Sequence, residues 1–411
     1  MIERLHIPAR SLAPDLARGL MLLLISWANV SWFLWGRPTS GGPHLQGGTD
    51  LDKAVRFLMQ VTVDGRAFPL YAFLFGYGMV QFHRSRVARG IPEPDVRHML
   101  WRRHWAMVLV FGLPHAALLF VGDILATYGL AGLALTWLFF RRRDRTVAVW
   151  IIVMLAFMTV MSILSLISGI IVLQQPAPEQ TDNFMDLART MMYGNGDGYL
   201  VSIIWRLVGW AMTTLTSLFT LVIPAWIMLG WLAARRGILD DPATHRSLLI
   251  KAAAILIPIG WLGGLPSALV GIGVLPIPVE NSWMFQSLDQ LAGLFGGLGY
   301  AALFGLLGLL WQATQPTLVR AIAAVGKRSL TFYLLQSVIH APLFASWGLG
   351  LGDDVNTAGA IGIATLTWIA SICIAQLLEI RGMRGPAELL LRRLTYGKAT
   401  VTPPTAPDAT A

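Results

Sequence analysis

The chain has 411 residues, 55% hydrophobic and 13% charged, with a mean hydropathy of +0.62, whereas a soluble domain carries about 25% charged residues. That leaves too little polar material for a water-facing surface, so lipid is the solvent that fits. The net charge of +9 does not mark a nucleic-acid protein, because the aromatic residues lie in apolar runs and not between basic ones.

Backbone groups find no water inside a bilayer, so the spanning segments must be helices or a closed barrel. The apolar runs are too long and continuous for barrel strands. Taken in chain order, helices of about 20 apolar residues fit roughly 17–36, 67–84, 103–121, 122–140, 147–173, 211–234, 249–274, 288–312, 329–348 and 358–379. The sequence therefore predicts an all-α, polytopic integral membrane bundle of about ten transmembrane helices. It forms one multi-pass transmembrane domain over 1–398, with the lipid bilayer as its partner. The first run carries Trp27, Trp32 and Trp35 and lacks a small-residue cleavage site, so it reads as a retained helix and not a signal peptide.

Charge tests the count. With both termini cytoplasmic, 25 of the 31 Lys and Arg fall on the inner side and 6 outside, as the positive-inside rule requires. Two outer loops exceed a turn. Residues 37–66 end in an amphipathic run from Leu51 to Val63. Residues 174–210 begin with Pro176 and Pro178 and continue as helices lying on the membrane surface. Residues 399–411 are rich in proline and small residues and read as a disordered tail. Cys373 stands alone in an apolar run and reads as a small buried hydrophobe. No phosphate-binding loop, zinc motif or serine elbow is present, so no metal and no tightly bound cofactor is expected.

Polar groups inside spans cost about 2.5–3.5 kcal/mol on insertion scales, so each is a functional candidate. His115 follows Pro114, which frees a backbone carbonyl one turn earlier that the imidazole or a water can satisfy. Its functional reading is a general base for a hydroxyl or amine. Asp123 lies eight residues on, about 12 Å along a helix, so it reaches His115 only if the turn folds back. Capping the fourth helix ranks slightly ahead of orienting His115. Tyr333, Gln336, Ser337 and His340 share one face of the ninth span, which tips the reading from interhelical bonding toward a cavity wall. With Asn29 and Arg66 they form the set expected to line an acceptor site. Gly293 to Gly297 in the eighth span reads as close packing, and Asp289 at its outer end is either interfacial or part of the same cavity. On the inner side, Arg18, Arg102 and Arg103 are the candidates to hold an anionic cosubstrate.

Several stretches together carry a family resemblance. They are Arg18-Gly19 through Ser26-Trp27-Ala28-Asn29-Val30, Gly65-Arg66-Ala67-Phe68 and Phe73-Leu74-Phe75-Gly76-Tyr77-Gly78. Further on come His115-Ala116 to Gly122-Asp123-Ile124-Leu125 with Tyr128, Gly326-Lys327-Arg328-Ser329-Leu330-Thr331 with Tyr333 and Gln336-Ser337, and Gly385-Pro386-Ala387-Glu388 with Arg393-Leu394-Thr395-Tyr396-Gly397. In this order the chain resembles the YeiB-like bacterial membrane proteins (domain of unknown function 418), which implies a multi-pass protein of the bacterial plasma (inner) membrane. Residues 147–320 carry no recognised motif. The family is distantly similar to the transmembrane acyltransferases, including the lysosomal glucosaminide acetyltransferase and bacterial sugar O-acyltransferases. That likeness implies acyl-CoA as a cosubstrate and an extracytoplasmic acceptor. The sugar O-acyltransferases place a histidine near the end of the first-helix motif, where this chain has Asn29, so His115 as base is an inference from this sequence alone.

Three functions are ranked in order: a membrane acyltransferase, a small-solute transporter or exporter, and a non-catalytic membrane scaffold. The polar stripes suit the first two, and the missing internal repeat weighs modestly against transport.

Overall fold

The computed structural model describes residues 12–40, 42–175, 184–194 and 198–396. The expectations for Arg4, Arg10, Pro176, Pro178, Lys398 and the tail 399–411 lie outside the described residues.

The described chain is helical throughout. Helix α1 (Ala13–Val30) begins with Pro14 in its first turn, where an absent N–H costs nothing. It ends in a 3-10 turn, Ser31–Phe33. Helix α2 (Asp50–Thr62) is the expected amphipathic run, started by a capping box of Thr49 and Asp52. Helix α3 (Ala67–Val87) comes after it. Helix α4 (Glu93–Ala106) runs through a π-helical turn, Met107–Gly112, into α5 (Leu113–Leu118). Then come α6 (Leu125–Leu138), α7 (Asp144–Leu173), α8 (Phe184–Arg189) and α9 (Tyr199–Phe219). After α10 (Val222–Arg235) and α11 (Arg246–Gly271), α12 (Gln286–Trp311) leads to α13 (Thr317–Lys327). The last four are α14 (Ser329–Phe344), α15 (Leu351–Asp354), α16 (Thr357–Ile380) and α17 (Pro386–Tyr396).

Six of these segments are long and apolar enough to cross a membrane: α1 with its 3-10 turn, α7, α9, α11, α12 with the turn before it, and α16. Helices α6, α10 and α14 are apolar but shorter. Large apolar side chains such as Ile152, Leu200, Leu262 and Leu366 stand exposed on α7, α9, α11 and α16, the pattern of helices that meet lipid. Cys373 belongs to this surface. It is exposed on α16, and the reading as a buried hydrophobe is corrected.

The expected span 211–234 is also corrected, because it divides between α9 and α10. Leu221 takes a left-handed backbone between them (φ 61°). Pro224 explains the break: without an N–H it cannot serve the carbonyl of Thr220, and its ring crowds that position. Part of the loop read as 174–210 is therefore the first half of a 21-residue apolar helix.

Glycines bring the central helices together. Gly260 of α11 faces Gly296 of α12 so closely that a Cβ on Gly260 would lie 2.5 Å from the Gly296 Cα. Gly293 and Gly297 face the chain from Gly65 to Leu70, which accounts for the glycine spacing as packing.

The connections gather at two ends. One end joins 31–40, 42–66, 117–124, 184–194, 198–206, 260–289 and 345–358. There Ser31 Oγ meets His44 Nδ1 at 2.9 Å, and His44 Nε2 meets Asp64 at 2.6 Å. Ser31 and His44 are fully buried, so this chain of bonds pins the 37–48 loop to α1. Arg37 bonds Asn356 (2.6 Å), Ala358 N–H donates to Asp52 (3.0 Å), and Arg66 pairs with Asp289 (2.5 Å). The other end joins Arg84 to Ala234 (2.8 Å), Arg235 to Asp144 (2.7 Å), Arg328 to Glu379 (2.7 Å) and Glu388 to Thr331 (2.5 Å).

Candidate functional site

The turn after α5 does fold back. His115 Nδ1 lies 2.8 Å from Asp123 Oδ1, and both residues are only 3% exposed. The other carboxylate oxygen, Oδ2, accepts from Ala126 N–H at 2.9 Å, at the start of α6. The two alternatives for Asp123 are thus one arrangement, with one oxygen capping the helix and the other holding the imidazole. A carboxylate only accepts, so in the neutral imidazole the proton is on His115 Nδ1 and the lone pair on Nε2. Nε2 is buried and has no hydrogen-bond partner among the described residues.

Local sequence makes this contact possible. The π-helical turn at Met107–Gly112 inserts an extra residue just before Pro114 and rotates the next helical turn, a device frequent at functional sites. Gly112 leaves the space. A Cβ there would lie 2.7 Å from Asp123 Oδ2 and 2.5 Å from the Ala126 Cβ.

Around the pair stand aromatic rings. Tyr333 approaches His115 with ring centroids 5.3 Å apart, and its hydroxyl accepts from Ile124 N–H at 3.3 Å. Tyr71 stacks on Tyr333 at 6.2 Å and meets Tyr128 at 5.3 Å. Phe120 lies 6.1 Å from His115 on its other side, against Phe33 at 5.0 Å.

Tyr71 also lines a cavity of about 720 Å³ that opens at the end of the bundle holding Arg84 and Arg328. Arg18, Arg86, Arg89, Arg103, Arg384 and Arg392 line it, with Asp15 and Glu388 among the acidic residues. Arg86 lies over the rings of Phe82 and Tyr396, each 5.1 Å to the centroid, and Arg103 over Phe82 at 5.8 Å. A basic, partly desolvated cavity of this kind holds phosphates by charge-assisted bonds.

The structure brings together some of the residues singled out from sequence and separates others. His115, Asp123 and Tyr333 form one cluster, and Arg18 and Arg103 line the cavity next to it. Arg102 is not among the lining residues. Gln336 and His340 turn to neighbouring helices: Gln336 Nε2 donates to Leu22 O (2.8 Å) on α1, and His340 meets Thr367 Oγ1 (3.2 Å) on α16. Ser337 is buried beside them, and Asn29 is half-buried on α1. Arg66 is fully buried at the opposite end, bonded to Asp289 and to the carbonyls of Asp64, Gly260 and Gln60. Asp289 is thereby committed to Arg66 and away from Tyr333.

Charged and amide groups, the usual markers of function in lipid, do not point to Tyr71. Its signal is a hydroxyl in the apolar run 67–84, which a phenol hides among hydrophobic neighbours. The Ser31–His44–Asp64 chain has no sequence signal, since its members lie in a helix end and two loop positions with no shared periodicity.

A family model described as a protein of unknown function (DUF418) matches residues 233–398. The chain is 25% identical to the uncharacterised protein YxaH of Bacillus subtilis (strain 168) over 367 residues, covering 85% of this chain and 83% of that protein. It is 26% identical to the uncharacterised protein YeiB of Escherichia coli (strain K12) over 391 residues, covering 95% and 97%. No solved structure matches the chain significantly. The chain is thus similar to the DUF418 family over its C-terminal part and to the uncharacterised proteins YeiB and YxaH along most of its length.

Proposed function

We propose that the chain is a membrane acyltransferase that takes an acyl group from acyl-CoA and gives it to an acceptor arriving from the opposite side. One observation carries the reading: the arginine-lined cavity is also lined by Tyr71, which stacks on Tyr333, which packs on the buried His115–Asp123 pair. The arginines hold the phosphates of the cosubstrate, and the thioester reaches inward past Tyr71. The acceptor hydroxyl or amine attacks the thioester carbonyl while His115 Nε2 takes its proton. The carbon–sulfur bond breaks, and the CoA thiolate leaves with that proton from the imidazolium. Asp123 fixes the tautomer and stabilises the transient positive charge.

The same reading places the basic end in the cytoplasm and both termini with it. The proposed ten crossings then comprise α1, α3, the α4–α5 segment, α6, α7, the α9–α10 pair, α11, α12, α14 and α16. The charge distribution supports this.

Binding of acetyl-CoA to detergent-purified protein tests the proposal. Wild type binds saturably, and Arg103→Ala weakens binding more than Arg102→Ala, whose side chain does not line the cavity. His115→Ala binds but does not turn over. Absence of binding at physiological CoA levels sinks the proposal and favours the second reading, transport. That alternative draws on the same cavity, with the Tyr71–Tyr333 stack as its gate, and net solute flux in vesicles without acyl-CoA is its signature.

A further inference from the structure

A second cavity, of about 410 Å³, opens beside the large one where α1, α13 and α16 meet, and Asp15 and Lys327 line both. Arg320 and Glu379 are its other charged residues, and Gln315 and Gln376 add two carboxamides. Two cations and two carboxylates suit a ligand that carries both signs of charge better than a simple anion or cation.

The side chains are disposed to receive one. Arg320 is exposed, and among the described residues its guanidinium makes a long bond to Thr317 Oγ1, at 3.5 Å. Glu379 meets Lys327 at 2.5 Å and Arg328 at 2.7 Å. A carboxylate offers about four lone-pair sites, so two remain. Gln315 has a left-handed backbone (φ 38°), shared among described non-glycine residues only by Leu221. Next in sequence to the lining residues Gln376 and Glu379 stand Leu377 and Ile380, which are 55% and 74% exposed. A charge-lined pocket therefore adjoins apolar surface of the kind that meets acyl chains.

We propose that this cavity binds the headgroup of a zwitterionic phospholipid bearing a primary ammonium, of the phosphatidylethanolamine class. The phosphate sits at Arg320, and the ammonium donates to Glu379. Carboxylate acceptors select an ammonium with N–H donors over a quaternary one, which has none. Because Asp15 and Lys327 line both cavities, lipid in this one is linked to occupancy of the larger one, in either direction. The proposal stands whether the larger cavity serves acyl transfer or transport.

Native mass spectrometry of the detergent-purified full chain tests it, with phosphatidylethanolamine, phosphatidylcholine and phosphatidylglycerol of identical acyl chains as probes. The expected result is retention of the ethanolamine lipid about tenfold above the other two, a preference that Arg320→Ala abolishes. Glu379→Gln equalises the ethanolamine and choline lipids. Thermal midpoints of both variants establish folding, and the exposed Arg320 keeps the test valid if Glu379→Gln does not fold. Equal retention of the glycerol lipid, or an unchanged preference in Arg320→Ala, overturns the proposal. Free O-phosphoethanolamine competing as tightly as the diacyl lipid assigns the cavity to a soluble zwitterion and overturns the lipid as occupant.

Discussion

Arg66, Arg189 and Arg206 sit at one end of the bundle with at most 3% exposure. Their guanidinium groups are spent on main-chain carbonyls: Arg206 on Ala117 and Met192 (2.9 Å each), Arg189 on Ser31 and Pro43, Arg66 on Gly260 and its neighbours. At the other end Arg86, Arg89, Arg103, Arg384 and Arg392 line an open cavity. One residue type thus does two jobs. At the first end it satisfies carbonyls where loops and helix ends are buried, because an unpaired backbone group in a dry site is costly. At the second it presents charge to whatever enters. Arginine count by itself therefore does not mark a binding site. What separates the ends is that the first three are buried against carbonyls, whereas the second set lines a cavity that a ligand can enter.

Mutation can break this contrast. Removing a tied arginine should cost most. Arg66→Ala leaves Asp289 without its ion-pair partner and should destabilise the protein by about 3–5 kcal/mol, read as loss of folded protein in the membrane and a large fall in thermal midpoint. Retention of a wild-type midpoint would show that the first end tolerates open charge as the second does. Next comes the joint between the ends. Gly112→Ala drives a Cβ against Asp123 Oδ2 and should cost about 1–3 kcal/mol from overpacking, while releasing His115 from its partner. Acyl transfer, where assayed, falls with it.

Smaller again is Asp123→Asn, which keeps the size and an oxygen for the cap at Ala126. Its stability change should be about 1 kcal/mol, whereas turnover should fall by about 10²–10⁴ if His115 is the base. An unchanged rate would return the pair to a purely structural role. At the open end, Arg103→Ala should shift stability by about 1 kcal/mol, the worth of its contact with the Phe82 ring. Its effect is on ligand: affinity for acyl-CoA should drop about tenfold, and the salt dependence of binding should shrink. A midpoint loss as large as that of Arg66→Ala would erase the distinction between the ends.

Much of this architecture is legible from residues. Apolar runs mark the helices long enough to cross a membrane, and the motifs mark the likeness to YeiB and YxaH. The amphipathic run at Leu51 to Val63 is α2, and the glycines of α12 are a packing face. The polar stripe of the ninth span is legible as a stripe but not as a site. Only Tyr333 turns to His115, while Gln336 and His340 bond α1 and α16, because residues sharing a helical face still splay toward different neighbours. The span at 211–234 fails for a local reason, since hydropathy windows do not register that Pro224 deprives Thr220 of a donor.

Solvent preference and helix period are properties of short stretches, so the residue order alone sets the lipid environment, the helical class and where most helices lie. It also marks His115, Asp123 and the arginines as groups in need of partners, because a polar group in lipid is costly wherever the fold puts it. Which partners meet those needs is settled by tertiary packing. It folds Asp123 back onto His115 through a widened turn and a glycine, and it ties Arg66 away in the opposite end. It also stacks Tyr71 of the cavity wall on Tyr333, beside the histidine. These contacts join residues from eight to more than two hundred positions apart, and no periodicity within one helix encodes the distance between two.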